Sequence, residues 1–332
     1  MSSRELKGCI TDVPGILLGH AQNEKGYTGC TVVLMEEGGI AGVDIGGSAP
    51  GMRETEMLNP TNMVMRIHAV MLTGGSTFGL NAAGGVQSFL EEKDIGFHAS
   101  SGGVIPIVPT AVIFDMDVGK PRVYPDREMG YKACQLACRE PSPQGLIGVG
   151  AGATCGKAMG SENSMRGGVG TASARLANGV TIGVLSVCNA WGDVINPRLS
   201  KIVAGARDPQ KTGSFIDTEY HIWGLDKIET RYFGMDTTLC VVATDALFNL
   251  EQCTKIAMMG QDGIARAIRP SHTQFDGDVV FAISTSSGQA KSIDVNIAGS
   301  YAARLVEESI VRGVCAGNDI TFEGYAPSTQ PY

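Results

Sequence analysis

In the stretch FGMDTTLCVVATDA, residues 233–246, three polar residues stand immediately before an apolar run. Thr237 and Thr238 follow Asp236 and lead directly into Leu-Cys-Val-Val-Ala. Threonine and valine favour strands, and a strand that is apolar on both faces is typical of a sheet covered on both sides. The stretch therefore predicts a buried strand. A second interpretation is that the chain is cut before Thr237, which would then become an N-terminal nucleophile.

Short β-branched runs like this one recur along the chain, each bounded by Gly, Asn or Asp. They are CTVVLME, IHAVMLTGG, TAVIFDM, VTIGVLSVCNA and DVVFAIST. Helical periodicity appears between some of them, at residues 76–93, 249–268 and 292–314. Strands outnumber helices, so the pattern predicts a layered α/β (α+β) arrangement with helices over sheets. No repeat or linker divides the chain, and we expect one domain over residues 1–332.

Composition excludes several classes of protein. The formal net charge of -8 disfavours a nucleic-acid partner or an acidic membrane, both of which reward a basic surface. No apolar run approaches the roughly 18 residues that a membrane span needs, and the amino terminus has no signal-like apolar core. The 9 cysteines form no C-x-x-C pair, so neither a disulfide framework nor a zinc site is indicated. These features predict a cytoplasmic protein without metal or cofactor.

The glycine-rich stretch GVGAGATCGKAMG resembles a phosphate-binding loop only in part. Ala151 replaces the first glycine of that pattern, and Ala158 replaces the serine or threonine that would bind magnesium. An NTPase is therefore excluded, and Lys157 is left in a glycine-lined turn. Such a lysine is either a solvated charge or, if it lies against apolar runs, a group with a shifted pKa that takes part in chemistry.

Two further places combine polar side chains with strand ends. In HTQFDGDVVF, Asp276 and Asp278 flank Gly277, and in an extended backbone both carboxylates project to the same side. They either form a turn that opens a strand or act as an acid pair that orients a hydroxyl and an amine. Asn189, in SVCNAWGDV, ends an apolar strand, either as a turn former or as an amide donor to a developing oxyanion. Of the histidines, His272 alone lies close to such a cluster.

Taken together, LTGGSTFGL, GAGATCGK, LSVCNAWGDV, DTTLCVVATDA and HTQFDGD resemble a known family. It is the family of L-aminopeptidase/D-amino-acid esterases, β-aminopeptidases and nylon-oligomer endo-hydrolases. The resemblance begins at ITDVPGILLGH and extends to the last predicted helix. It implies a four-layer αββα sandwich like that of N-terminal-nucleophile hydrolases. It also implies one self-cleavage, two pieces that stay together, and an oligomer, commonly of four αβ units.

The resemblance also implies a site. The cut falls between Asp236 and Thr237 and gives an α chain, 1–236, and a β chain, 237–332. Two departures from the nylon-oligomer branch are Asp236, where that branch has asparagine, and Phe114, where it has tyrosine. The aspartate at position 236 bears on the rate of self-cleavage. The phenylalanine at position 114 lacks the hydroxyl that a tyrosine would contribute to processing or catalysis. The implied catalytic residues are the nucleophile, two neighbours that position it and stabilise the oxyanion, and an acid pair behind it: Thr237, Lys157, Asn189, Asp276 and Asp278.

A threonine hydroxyl is a poor nucleophile at neutral pH and needs a base. Once Thr237 is a chain terminus, its own α-amine can take the proton, so no histidine is required. The sequence thus predicts a self-processing amide hydrolase acting on small peptides, amino-acid amides or ω-amino-acid oligomers. Two alternatives stay open. One is an acyltransferase with the same threonine chemistry, as in the ornithine acetyltransferases, and the other is a non-catalytic homologue that serves as a binding or scaffold protein.

Overall fold

The computed structural model describes residues 8–63, 65–100, 102–119, 122–228, 236–286 and 291–320. The strands are β1 (Leu17–Asn23), β2 (Thr28–Ile45), β3 (Met52–Arg53), β4 (Ile67–Thr73), β5 (Phe97–His98), β6 (Val104–Ile105), β7 (Thr110–Val112), β8 (Thr154–Cys155), β9 (Met165–Arg166), β10 (Gly168–Arg175), β11 (Thr181–Asn189), β12 (Asp193–Asn196), β13 (Lys201–Ala204), β14 (Thr237–Thr244), β15 (Ile268–Arg269) and β16 (Val279–Ser284). The α-helices are α1 (Ala83–Glu92), α2 (Arg127–Gln135), α3 (Thr218–Trp223), α4 (Leu250–Ala267) and α5 (Val295–Gly317). Short 3-10 helices span Ile10–Asp12, Thr55–Leu58, Ser76–Ala82, Gly148–Gly152 and Ser161–Asn163.

The long strand β2 joins the two halves of the main sheet. The strand order is β10-β11-β14-β16-β2-β4-β7-β3, with β1 also paired to β2. The first part of β2 pairs with β1 and β4, and its last six residues pair with β16. Between these parts the register shifts and Gly38 takes a φ of 71°, a left-handed conformation that glycine adopts without steric cost. The chain can therefore turn from one layer into the next.

Three apolar cores separate four layers. One lies between α1 and α2 and the outer face of β1, β2 and β4. The second fills the space between the two sheet halves, and the third lies between β10, β11, β14 and β16 and the helices α4 and α5. Along β14, Leu239, Val241 and Ala243 point into the central core, whereas Cys240 and Val242 face the helices. The predicted αββα sandwich is confirmed, and all of β14 is buried, as its sequence predicts.

The predicted helices are present with shifted beginnings. Residues 76–93 form a 3-10 turn that leads into α1. Helix α4 begins after Asn249, whose side chain and that of Gln252 accept hydrogen bonds from each other's main-chain N–H, a capping box. Within the described ranges, no helix combines the length and apolarity needed to cross a bilayer.

Residues 199–228 form a polar stretch that carries two short elements of regular structure. It contains β13 and α3, and the side chain of Asp193 anchors it by accepting hydrogen bonds from the main-chain N–H groups of Ala206 and Thr218, at 2.8 and 2.6 Å. Residues 229–235, which precede the predicted cut, lie outside the described residues.

Candidate active site

The beginning of β14 brings three distant stretches of chain together. Asn189, the last residue of β11, is the register partner of Thr237 in the antiparallel pair. On the other side, β16 runs parallel to β14, and Asp236 forms a bridge with Asp276 just before β16 begins. Because two strands begin and one ends at the same edge, the polar residues flanking all three must lie close together.

The carbonyl oxygen of Asp236 accepts two hydrogen bonds. One comes from the hydroxyl of Thr237, a side chain that is only 5% exposed, and the other from the main-chain N–H of Gly277, at 2.8 Å. Hydrogen bonds to a carbonyl oxygen draw electron density away from the carbon, which becomes more open to attack. The hydroxyl and the carbonyl that it would attack are therefore adjacent. Sequence reasoning treated Gly277 only as a turn residue, and its N–H donor role was missed.

Lys157 is buried, so its interpretation as a solvated charge is wrong. Its side chain is 3% exposed, and Nζ lies 2.8 Å from Oδ1 of Asp236. Nζ also donates to Oδ1 and to the main-chain oxygen of Asn189, at 3.1 and 3.2 Å. Burial raises the pKa of Asp236, and the ammonium of Lys157 opposes that rise. The lysine thus connects the residue before the predicted cut to the end of β11.

The side-chain amide of Asn189 is held at both ends. Its Oδ1 accepts from the N–H of Thr154 at 3.0 Å as well as from Lys157, and its Nδ2 donates to the main-chain oxygen of Phe114 at 3.1 Å. Phe114 therefore contributes a main-chain carbonyl oxygen to the site, and this contact does not depend on which side chain stands at position 114. The donors to the carbonyl oxygen of Asp236 are the Thr237 hydroxyl and the Gly277 N–H, and an oxyanion role for Asn189 stays a prediction.

Asp278 ties the beginning of β14 to a histidine. Its Oδ1 accepts from the N–H of Thr238 at 2.6 Å, and its Oδ2 lies 2.8 Å from Nδ1 of His272. Burial lowers the pKa of His272, but the hydrogen bond and charge of Asp278 outweigh burial, and the net shift is upward. The sequence showed that His272 lies close to the acidic pair, but its contact with Asp278 was not predicted.

Asp276, although only two residues away, has different partners. Its Oδ2 accepts from the N–H and hydroxyl of Thr273 at 3.0 and 2.7 Å, and its Oδ1 accepts from the N–H of Trp191 at 3.4 Å. Burial and the neighbouring charge of Asp278 raise the pKa of Asp276 to about 7. The two carboxylates thus differ, since Asp278 holds the nucleophile strand and Asp276 holds the turn before β16.

A second loop supports this turn from outside. The main-chain N–H groups of Gly46 and Gly47 donate to the carbonyl oxygen of Asp278, and those of Ser48 and Ala49 donate to that of Asp276. These four bonds fix the position of the peptide that contains the Gly277 N–H. Sequence reasoning missed the loop, since its contribution is entirely main-chain.

A cavity of about 760 Å³ adjoins the site. Thr154, whose N–H binds Asn189, lies in its wall. The wall also carries charges of both signs: Asp117, Glu162, Arg166 and Arg207. Among the described residues, no three His, Cys, Asp or Glu side chains converge as metal ligands would. The neighbourhood offers room and charge for a small polar molecule.

Comparison with known proteins gives consistent results. The profile of peptidase family S58 matches residues 8–326. An uncharacterized aminopeptidase of Mycobacterium leprae is 40% identical over 322 residues, which cover 90% of this chain and 84% of the relative. A 6-aminohexanoate-oligomer endohydrolase of Paenarthrobacter ureafaciens is 28% identical over 312 residues, with 90% and 84% covered.

Solved structures share the fold at low sequence identity. A Burkholderia sp. β-aminopeptidase superposes with a TM-score of 0.67 at 20% identity, covering 93% of this chain and 86% of the other. An L-aminopeptidase D-Ala-esterase/amidase of Ochrobactrum anthropi, described as a variant of the Ntn hydrolase fold, gives a TM-score of 0.65 at 20% identity, with 91% and 84% covered. The fold predicted by resemblance is thereby confirmed.

Proposed function

The chain belongs to peptidase family S58 and is a hydrolase of peptide or amide bonds, and we propose that it cuts itself once, before Thr237, and then uses that threonine as its nucleophile. The proposal rests on the two hydrogen bonds to the carbonyl oxygen of Asp236, from the Thr237 hydroxyl and from the Gly277 N–H. A nucleophile beside a polarised carbonyl is the geometry that acyl transfer requires.

Self-cleavage begins when the Thr237 oxygen attacks the carbonyl carbon of Asp236. Negative charge develops on the carbonyl oxygen, where the Gly277 N–H stabilises it. The C–N bond then breaks, the hydroxyl proton ends on the Thr237 nitrogen, and an ester joins the two residues. Water hydrolyses this ester, which releases Asp236 with a new α-carboxylate and leaves Thr237 with a free hydroxyl and a free amine.

The new α-amine supplies the base for turnover. With a reference pKa of about 7.7 to 8.0, it can accept the hydroxyl proton near neutral pH. Thr237 then attacks the substrate carbonyl, the amine product leaves with a proton, and water releases the acyl product from Thr237. Lys157 and Asn189 border this reaction, and Asp278 holds the strand that carries the nucleophile.

The names of the relatives suggest the substrates. Some are called aminopeptidases and others 6-aminohexanoate-oligomer endohydrolases, so we assign small peptides, amino-acid amides or ω-amino-acid oligomers to this chain. The mixed charges in the cavity suit such molecules, which carry an ammonium, a carboxylate or both. We further propose a cytoplasmic enzyme without cofactor, nucleic-acid or membrane partner, assembled from four αβ units.

The two pieces are expected to remain one domain after the cut. Strand β14 belongs to the second piece but lies between β11 of the first piece and β16. Helix α5, also of the second piece, packs on β10 and β11 through the outer apolar core. Separation would expose this core and break a full strand ladder, which disfavours dissociation.

Intact mass under denaturing conditions tests the proposal. The wild-type chain should give two fragments that meet at Asp236 and Thr237, and Thr237→Ser should also cut because it keeps a hydroxyl. Thr237→Ala should remain at 34.8 kDa without activity. Thr238→Val is the matched control, since it keeps the N–H that binds Asp278. A cleaved, active Thr237→Ala protein would overturn the proposal, and product analysis with an added amine acceptor separates hydrolysis from acyl transfer.

A further inference from the structure

The side chain of Asp236 fills an enclosed space beside Lys157, here called the Asp236 pocket. Its carboxylate is fully buried, and Oδ1 lies 2.8 Å from Nζ of Lys157. Before the cut, Asp236 provides the carbonyl that Thr237 attacks, so this residue stands where the acyl residue of a substrate would stand. It is an internal substrate whose side chain marks the acyl subsite.

We infer that the Asp236 pocket, once the cut end of the first piece withdraws, receives the acyl residue of the substrate and favours a short carboxylate side chain. The preferred substrates are then peptides and amides with amino-terminal aspartate. The inference rests on the proposed function, because it takes Thr237 as the nucleophile for both reactions.

The contacts of Lys157 favour this choice. Its ammonium is held in place by two oxygens of Asn189, so it points into the pocket without rearrangement. A substrate carboxylate would take over the contact that Asp236 makes. An asparagine side chain offers only a neutral acceptor, a leucine side chain offers none, and a lysine side chain brings a second cation against a buried one.

Nearby acidic groups must be weighed against this contact. Asp117 and Asp278 both raise the pKa of Asp236 through their charge, after burial, which has the largest effect. The carboxylate of Asp278 is bound by the N–H of Thr238 and by His272. Asp117 is exposed to solvent in the adjoining cavity, where water screens its charge. Asp117 instead offers a partner to the α-ammonium of an aminoacyl substrate. An aspartyl amide, which carries both charges, matches both groups.

The test compares kcat/KM of the self-cleaved enzyme on the p-nitroanilides of aspartate, asparagine, leucine and lysine. The expected order is aspartate, asparagine, leucine, lysine, with aspartate about ten- to a hundredfold above leucine, the range for a hydrogen bond to a charged group. Free L-aspartate should also inhibit hydrolysis of the leucine substrate competitively, and L-lysine should not.

Arg207→Gln provides the matched control, because this cation lines the cavity but binds main-chain oxygens of residues 162 and 163. The aspartate preference should survive this change. Loss of the preference in Arg207→Gln, or leucine or lysine substrates cleaved as well as the aspartate substrate by the wild type, would overturn the inference while the proposed function stands. A correctly cut enzyme that hydrolyses none of the four would overturn both.

Discussion

Replacement of Gly277 by alanine should slow self-cleavage by about two to three orders of magnitude while the chain stays folded. The φ angle of Gly277 is outside the left-handed region, so an alanine can adopt this backbone. The effect must therefore come from the contacts of the added methyl group. An ideal Cβ at this position lies 2.6 Å from the carbonyl oxygen of Ala49 and 2.9 Å from Oγ1 of Thr237.

The first of these contacts is about 0.4 Å closer than the 3.0 Å that real Cβ atoms keep. The oxygen belongs to main chain that cannot retreat easily, because the N–H of Ala49 donates to Asp276 at 2.9 Å. The displacement therefore falls on Gly277 or on Thr237, and it pulls the Gly277 N–H away from the Asp236 oxygen that it contacts at 2.8 Å. Loss of one oxyanion donor typically costs about 3 to 4 kcal/mol of transition-state stabilisation.

The assay follows the intact mass of freshly purified protein over time, with circular dichroism and thermal unfolding as checks on folding. Gly224→Ala is the matched control, since a Cβ there meets only the carbonyl oxygen of His221, at 3.6 Å. That variant should cut at the wild-type rate. A folded Gly277→Ala protein that cuts as fast as the wild type would refute the role of this N–H.

Three further predictions concern charge at the site, all measured by urea unfolding of the uncut Thr237→Ala chain. Lys157→Met should lower the free energy of unfolding by about 3 to 5 kcal/mol, because it leaves the Asp236 carboxylate buried without its cation. Adding Asp236→Leu should recover most of that loss, and additive effects of the two changes would contradict the ion pair. Burial lowers the pKa of His272, but Asp278 outweighs burial and raises it on folding. The stability that His272 contributes should therefore be complete below pH 6.5 and be lost as the pH rises through its folded pKa. His272→Ala should abolish this part of the pH dependence. Burial and the charge of Asp278 raise the pKa of Asp276 to about 7, so Asp276 binds its proton more tightly in the folded chain. The free energy of unfolding should therefore fall as the pH rises from 3.8 towards 7. An unchanged fall in Asp276→Asn would disprove this assignment.

Much of the fold could be predicted from local patterns. The run from Leu239 to Ala243 alternates between two apolar cores, and its lack of polar residues already indicated a sheet covered on both faces. The helices α1, α4 and α5 followed from their apolar periodicity. These patterns can be read from the sequence because the spacing of apolar residues along a strand or helix shows which of its faces is buried.

The candidate site was predicted less completely. The resemblance supplied five residues, and the structure brings all of them to one edge of the sheet: Thr237, Lys157, Asn189, Asp276 and Asp278. Three contributions were missed, namely the Gly277 N–H, the loop of residues 46–49 and the pairing of His272 with Asp278. The first two are main-chain N–H groups, which every residue except proline carries, so they leave no mark in the sequence.

The sequence by itself determined the layers, the buried strand that begins at Thr237 and the set of polar residues at its ends. Only the tertiary structure decided that Lys157 is buried against Asp236 and that Gly277 donates to the carbonyl before Thr237. The physical reason is that these contacts depend on the register of β14 with β11 and β16, and a shift of one residue would reverse which side chains face the core. Register is fixed by the packing of all strands together, and no single stretch of sequence contains it.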